Sequence, residues 1–170
     1  MILPVILDIL LPARQWKSKQ VFINNIFIIP ADGGESRQLT SESDKVAGST
    51  IDWSPDGKSI ACFSKDKTIK VIPVERGESR EVVKVESISR HNELSWSSDG
   101  KKIAYASKGS IWVVSKDGRE PSEVKTGLDS MADKIDWSPD GKKIAFSASK
   151  GGDVELWLME DFLPLVTGKK

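Results

Sequence analysis

The sequence holds one cysteine, Cys62, and one histidine, His91. A lone thiol forms no intrachain disulfide, and the two residues together cannot build a cysteine cluster or a multi-histidine zinc site. An excess of charge of one sign is missing as well: 25 Lys and Arg stand against 25 Asp and Glu. Proteins that bind nucleic acid draw affinity from phosphate neutralisation and carry a basic surplus, so no nucleic-acid partner is expected. Lys101-Lys102, Lys142-Lys143 and Lys169-Lys170 are short pairs set among acids, a solvated rim rather than a basic stripe. Long apolar runs are scarce. The longest, Ile2 to Leu11, is broken by Pro4 and Asp8 and closed by Pro12, and a bilayer span takes about 20 apolar residues, so no membrane span is expected. No Lys or Arg precedes that run and Pro12-Ala13-Arg14 is a poor cleavage site, so residues 1–19 read as an irregular apolar leader or an edge cover, with a degraded signal peptide as the lesser alternative. Neither a Gly-x-Ser-x-Gly elbow nor a Gly-x-x-x-x-Gly-Lys phosphate loop occurs. These absences lead to the expectation of a protein that is not an enzyme and takes no cofactor and no metal.

What is present is repetition within 170 residues of 38% apolar and 29% charged composition, a balance that suits one soluble domain. Ile51-Asp52-Trp53-Ser54-Pro55-Asp56-Gly57-Lys58-Ser59-Ile60-Ala61 aligns with Leu94-Ser95-Trp96-Ser97-Ser98-Asp99-Gly100-Lys101-Lys102-Ile103-Ala104. Both align with Ile135-Asp136-Trp137-Ser138-Pro139-Asp140-Gly141-Lys142-Lys143-Ile144-Ala145. The tryptophans lie 43 and 41 residues apart, within the period of about 40–45 that suits a four-stranded propeller blade. The triplets centred on Phe27, Lys70, Trp112 and Trp157 follow at 43, 42 and 45 residues. A third register, Gly34-Glu35-Ser36-Arg37 and Gly77-Glu78-Ser79-Arg80, again holds a spacing of 43.

One unit reads as four strands. Strand A is Thr50 to Trp53, and Ser54-Pro55-Asp56-Gly57 turns it back: proline presets φ, aspartate bonds the turn backbone, and glycine takes positive φ freely. Strand B follows over Ser59 to Phe63, strand C over Thr68 to Val74 and strand D over Ser79 to Val85. Ile60-Ala61-Cys62-Phe63 and Ile144-Ala145-Phe146 are continuous apolar runs, as in strands covered on both faces. No segment keeps a 3.6-residue apolar period, so helices should be scarce and the fold class all-β.

Trp-Ser-Pro-Asp-Gly-Lys followed by Ile-Ala, then an apolar strand ending in Asp-Gly, resembles the WD40-like β-propeller repeat of TolB and its relatives, from about Val21 to Pro164. The middle copy departs, with Ser98 in place of the proline. The resemblance implies a propeller, usually six-bladed, with a central channel and no catalytic machinery of its own. It also implies a place of work outside the cytoplasm. Residues 20–43 read as a partial blade (strands B, C and D), 44–86 and 87–129 as blades, and 130–170 as a last blade with a tail, where Phe162 to Val166 is the candidate fourth strand. Roughly three and a half blades fall short of the usual closed range of about 4–8, so the chain resembles the C-terminal half of a longer propeller, and self-association through open blade edges is expected of it.

Within that frame the repeated tryptophans read as packing between blades, because repeated apolar positions form core. Asp56, Asp99 and Asp140 read as turn formers, since the dense Asp-x-Asp-x-Asp-Gly loop of a calcium site is absent. Asp52 and Asp136 sit on strand A, nearest the axis, opposite in facing to their apolar neighbours; Ser95 holds the same position in the middle copy. They are candidates to face a ligand or partner in the channel, against the simpler role of bonding a neighbouring blade's backbone. His91 and Asp133, in the segments that enter strand A, are further candidates, with a solvated loop as the plainer reading. The expected function is a non-catalytic module that binds a protein or peptide through blade loops and the channel mouth. The alternative is an accessory, substrate-gating propeller of a peptidase or hydrolase system.

Overall fold

The computed structural model describes residues 25–41, 44, 46–75, 78–88, 93–127, 131–150 and 153–160. Among them every regular element is a strand. A short pair, β1 (Phe27–Ile28) and β2 (Arg37–Gln38), comes first. A four-stranded antiparallel sheet follows, in the order β3 (Val46–Trp53), β4 (Ser59–Ser64), β5 (Thr68–Pro73) and β6 (Arg80–Lys84). The next sheet repeats that order with β7 (Leu94–Trp96), β8 (Lys102–Ser107), β9 (Ser110–Ser115) and β10 (Ser122–Val124). The last has three strands, β11 (Met131–Trp137), β12 (Lys143–Lys150) and β13 (Asp153–Glu160). Phe162 to Val166, the expected fourth strand, lies outside the described residues, as do Val21 to Asn24 of the expected partial blade.

Each sheet meets its neighbours face to face. We call the face toward the preceding sheet leading and the other trailing. Period-2 alternation sorts the side chains: along β8, Ile103 and Tyr105 pack with Ala61, Phe63, Val71 and Val82 of the preceding sheet, and Ala104 and Ala106 pack with Ile135, Trp137, Ile144 and Phe146 of the next. That is why strand B reads as a continuous apolar run: both of its faces are covered. The innermost strand β7 lies beside β3 on one side and β11 on the other. On the first junction Ile26 packs with Val46, Ile60, Cys62 and Ile72, and Arg37 Nη2 donates to the Val74 carbonyl at 2.6 Å.

The turns between first and second strands repeat their bonding as well as their sequence. Ser54 Oγ donates to Asp56 Oδ1 at 2.6 Å, and the same oxygen accepts the Lys58 N–H at 3.0 Å. Ser97 with Asp99 and Lys101, and Ser138 with Asp140 and Lys142, do likewise at 2.6–3.0 Å. Gly57, Gly100 and Gly141 close the turns at φ 68°, 66° and 73°. Ser98 stands where the outer turns have proline, yet its turn keeps the same bonds. The serine hydroxyls hold Asp56 and Asp140 below the ordinary carboxylate range; Asp99 is also lowered, burial working against its bonds.

The three repeated tryptophans do not share one environment. Trp96 and Trp137 are each 6% exposed, within the cores between sheets, whereas Trp53 is 45% exposed and its neighbour Ile51 43%. The expectation of core packing thus holds for two positions. Among the described residues, Ile26, Ile28 and Leu39 pack with Val46 of β3 and with Ile60, Cys62 and Ile72 of β4 and β5, and Ile51 and Trp53 are not part of that cluster.

Candidate functional site

The innermost strands bring Asp52, Ser95 and Asp136 to equivalent places. Asp52 Oδ2 accepts the backbone N–H of Trp96 at 2.7 Å, so a side chain of β3 holds the strand of the next sheet. Ser95 Oγ accepts the Trp137 N–H at 3.1 Å, the same bond one sheet later. Asp52 is half-buried, Ser95 is buried and Asp136 is exposed. Burial pushes the Asp52 carboxyl above its ordinary value of 3.8, against the Trp96 and Trp53 N–H groups; the Asp136 charge adds to the rise, which places the two carboxylates in one electrostatic neighbourhood. Asp133 belongs to β11, within an irregular stretch of pairing between Ala132 and Ile135. His91 lies outside the described residues. Glu93 pairs with Lys134 across two sheets, Lys134 Nζ donating to Glu93 Oε1. Among the described residues no three His, Cys, Asp or Glu side chains gather as a metal site would need.

The role of Asp52 is open to a direct test. Asp52→Asn keeps an acceptor for the Trp96 N–H, whereas Asp52→Ala leaves that buried donor unpaired. The alanine variant is expected to lose about 1–3 kcal/mol and the asparagine variant close to nothing. A raised folded pKa has a definite sign: the stability it contributes is full below 3.8 and is lost as pH rises through the folded value. Wild type should therefore lose stability relative to Asp52→Asn across that window. Urea titrations at acid and neutral pH check both points, and equal losses in the two variants would show that the charge itself is required.

A second feature lay beyond the sequence motifs. A cleft of about 410 Å³ opens between the second and third sheets at their turn ends, lined by Asp56, Arg80, Trp96, Ser98, Asp99 and Lys116 among others. Its two acids and two bases come from different strands and turns, and Arg80 also reaches Asp117 at 3.6 Å. Only the Gly-Glu-Ser-Arg register hinted at Arg80, and nothing in that register says which neighbours it meets. Cys62, the single thiol, is fully buried among apolar side chains, and burial pushes its pKa up to about 12, so it is an inert core residue.

Four-stranded antiparallel sheets stacked face to face, with their first strands innermost, define a β-propeller, here an arc of one. A family model described as WD domain, G-beta repeat (WD40) matches residues 35–72. The arc is similar in fold to TolB from Acinetobacter baumannii, with 21% identity and a TM-score of 0.65 over 81% of this chain and 35% of that one. It is likewise similar to putative TolB from Agrobacterium tumefaciens, with 22% identity and a TM-score of 0.69 over 81% of this chain and 52% of that one. The tricorn protease is a more distant likeness, with 16% identity and a TM-score of 0.52 over 68% of this chain and 12% of that one. The chain thus has a TolB-like propeller fold and spans about a third to a half of the length of those TolB chains. No curated protein matches it in sequence. Among the described residues no helix is long and apolar enough to cross a membrane.

Proposed function

We propose that this chain is a non-catalytic interaction module that binds a protein or peptide segment across its turn ends. The observation that carries the reading is the cleft between the second and third sheets. The innermost polar residues Asp52 and Ser95 are already occupied in holding neighbouring sheets, while Arg80, Lys116, Asp56 and Asp99 border open space. Two cations and two anions around one cleft suit a peptide, which offers carbonyl acceptors, N–H donors and side chains of both signs. The TolB-like fold supports the same reading, and a place of work outside the cytoplasm is part of the proposal by that likeness.

The test is a peptide array read with purified chain, followed by titration of the strongest sequences. Reversing two charges, Arg80→Glu with Lys116→Glu, should weaken binding about tenfold or more while leaving the fold intact. Peptides recovered unchanged after long incubation agree with the proposal. Hydrolysis by pure chain, or binding indifferent to the double reversal, overturns it. The likeness to the tricorn protease favours, as a second reading, an accessory propeller that positions substrate for a peptidase on another chain. A separately supplied peptidase whose rate depends on this chain would favour that reading.

A further inference from the structure

Corresponding residues line a cleft at the turn ends of two successive junctions. Between the second and third sheets they include Pro55, Asp56, Trp96, Asp99 and Gly100; between the third and last they include Ser98, Asp99, Trp137, Asp140 and Gly141. The first cleft holds about 410 Å³ and the second about 180 Å³. The second is the closer fit: a Cβ on Gly141 would stand 2.7 Å from Ser98 Oγ, whereas one on Gly100 would stand 3.7 Å from Pro55 Cδ. The tryptophans differ to match. Trp137 donates its indole N–H to the Gly141 carbonyl at 3.1 Å. Trp96, 6% exposed, keeps the same N–H buried with no acceptor among the described residues, although Gly100 borders the same cleft. A buried donor left unpaired is costly, so the wider cleft lacks one oxygen that its narrower counterpart supplies from its own backbone.

The other donors on the wider cleft are short of acceptors too. Arg80 and Lys116 border it. The contact of Arg80 with Asp117 spans 3.6 Å, beyond hydrogen-bond reach, between side chains 47% and 63% exposed. Lys116 adds through space to the lowering of the Asp56 pKa that the Ser54 hydroxyl chiefly causes, and it makes no ion-pair contact among the described residues. The two acids are already engaged by their own turns. Asp56 Oδ1 accepts from Ser54 Oγ and the Lys58 N–H, and Asp99 Oδ1 from Ser97 Oγ and the Lys101 N–H. Counted as hydrogen bonds rather than as charges, the cleft has donors in excess: an indole N–H, a guanidinium and an ammonium.

We infer that this cleft takes a carboxylate of the bound peptide, whose oxygens accept from the Trp96 indole N–H, Arg80 and Lys116. A planar guanidinium suits a carboxylate, and bonds between charged partners are stronger than neutral ones. One ligand oxygen then stands toward Trp96 as the Gly141 carbonyl stands toward Trp137. A peptide C-terminus and an Asp or Glu side chain present the same group. The inference rests on the peptide-binding reading and names the group that the cleft selects.

The probe is the tightest-binding peptide from the array, N-acetylated and made in three forms: the free acid, the C-terminal amide, and the amide with every Asp and Glu changed to Asn and Gln. The full chain should bind the third form about tenfold or more weakly than the first. A drop at the amide assigns the terminal carboxylate, and a drop at the last step assigns a side chain. Arg80→Gln should bring the ratio between first and third forms toward one. In the wild type the Trp96 indole N–H resonance should move downfield as the free acid binds, while that of Trp137 stays in place. Trp96→Phe should weaken binding of the free acid about tenfold or more. That variant counts only if Cys62, fully buried in the folded chain, stays unreactive toward thiol reagents; otherwise the wild-type resonance decides. Equal affinity for the three forms overturns the inference and leaves the peptide-binding reading in place. So does a ratio that Arg80→Gln leaves unchanged, or a Trp96 resonance that ignores the ligand. An array in which no peptide binds overturns both.

Discussion

Replacing Trp96 with alanine is expected to remove about 3–5 kcal/mol of stability, the range for a large aromatic deleted from a packed core. Trp96 lies in the cluster that joins the second and third sheets, with Phe63, Val71, Val82, Ile103 and Tyr105 among its members. The cavity left behind would open between two rigid sheets, which collapse poorly around it. A loss of that size is a large fraction of the total for a domain this small, so the variant should unfold at far lower urea. The same change at Trp53 should cost about 1–2 kcal/mol, because nearly half of that side chain already meets water. Two identical substitutions in one repeated motif thus separate according to which face is covered. Thiol reactivity of Cys62 reads the transition without using tryptophan emission. Similar losses at the two positions would mean that the leading face of β3 is covered in the isolated chain. Trp96→Phe should be gentler than Trp137→Phe as well: the buried indole N–H of Trp96 has no hydrogen-bond partner among the described residues, whereas that of Trp137 donates to the Gly141 carbonyl at 3.1 Å.

Much of the fold was legible because its determinants are local. The Ser-x-Asp-Gly turn is stabilised by its own serine, aspartate and glycine, so it survives the loss of proline at Ser98 and can be read from six residues. Strand β4 shows as an unbroken apolar run because both of its faces are covered. What the sequence left open depends on residues far along the chain. Strand β3 starts at Val46, four residues before the expected Thr50, because a shift in pairing between Val46 and Ile51 carries it past the alternating segment. The partner of Asp52 is a backbone N–H 44 residues away. No feature near Asp52 distinguishes a carboxylate bonded to the next sheet from one that faces a ligand. Nor does the repeat itself say that Trp53 would be exposed and Trp96 buried, since the motif around them is nearly the same and only the sheet in front differs. The cleft at the turn ends needs Arg80, Lys116, Asp56 and Asp99 from three separate strand connections and one strand start, a set that no spacing rule unites.

Close approach between neighbouring sheets leads to the other large effect, at Gly118. This residue closes the turn between β9 and β10 at φ 80°, its N–H donating to the Ser115 carbonyl at 2.9 Å. A Cβ added there would stand 2.8 Å from the carbonyl oxygen of Val82 in β6 of the preceding sheet. Gly118→Ala therefore carries two separate costs. The left-handed backbone takes about 1–2 kcal/mol from any residue with a Cβ. The clash meets a backbone oxygen of β6 and not the far end of a flexible side chain, so the turn or the strand must shift; forcing extra volume into a packed contact costs about 1–3 kcal/mol more. Gly57→Ala separates the two contributions, because Gly57 has φ 68° and nothing within 4 Å of its Cβ position. It should lose the backbone cost alone. Urea midpoints for the two variants give the difference, which is assigned to the contact between the second and third sheets. Equal losses would mean that the turn at Gly118 moves off Val82 without resistance, and that the junction depends on its apolar core instead of on the fit of its edges.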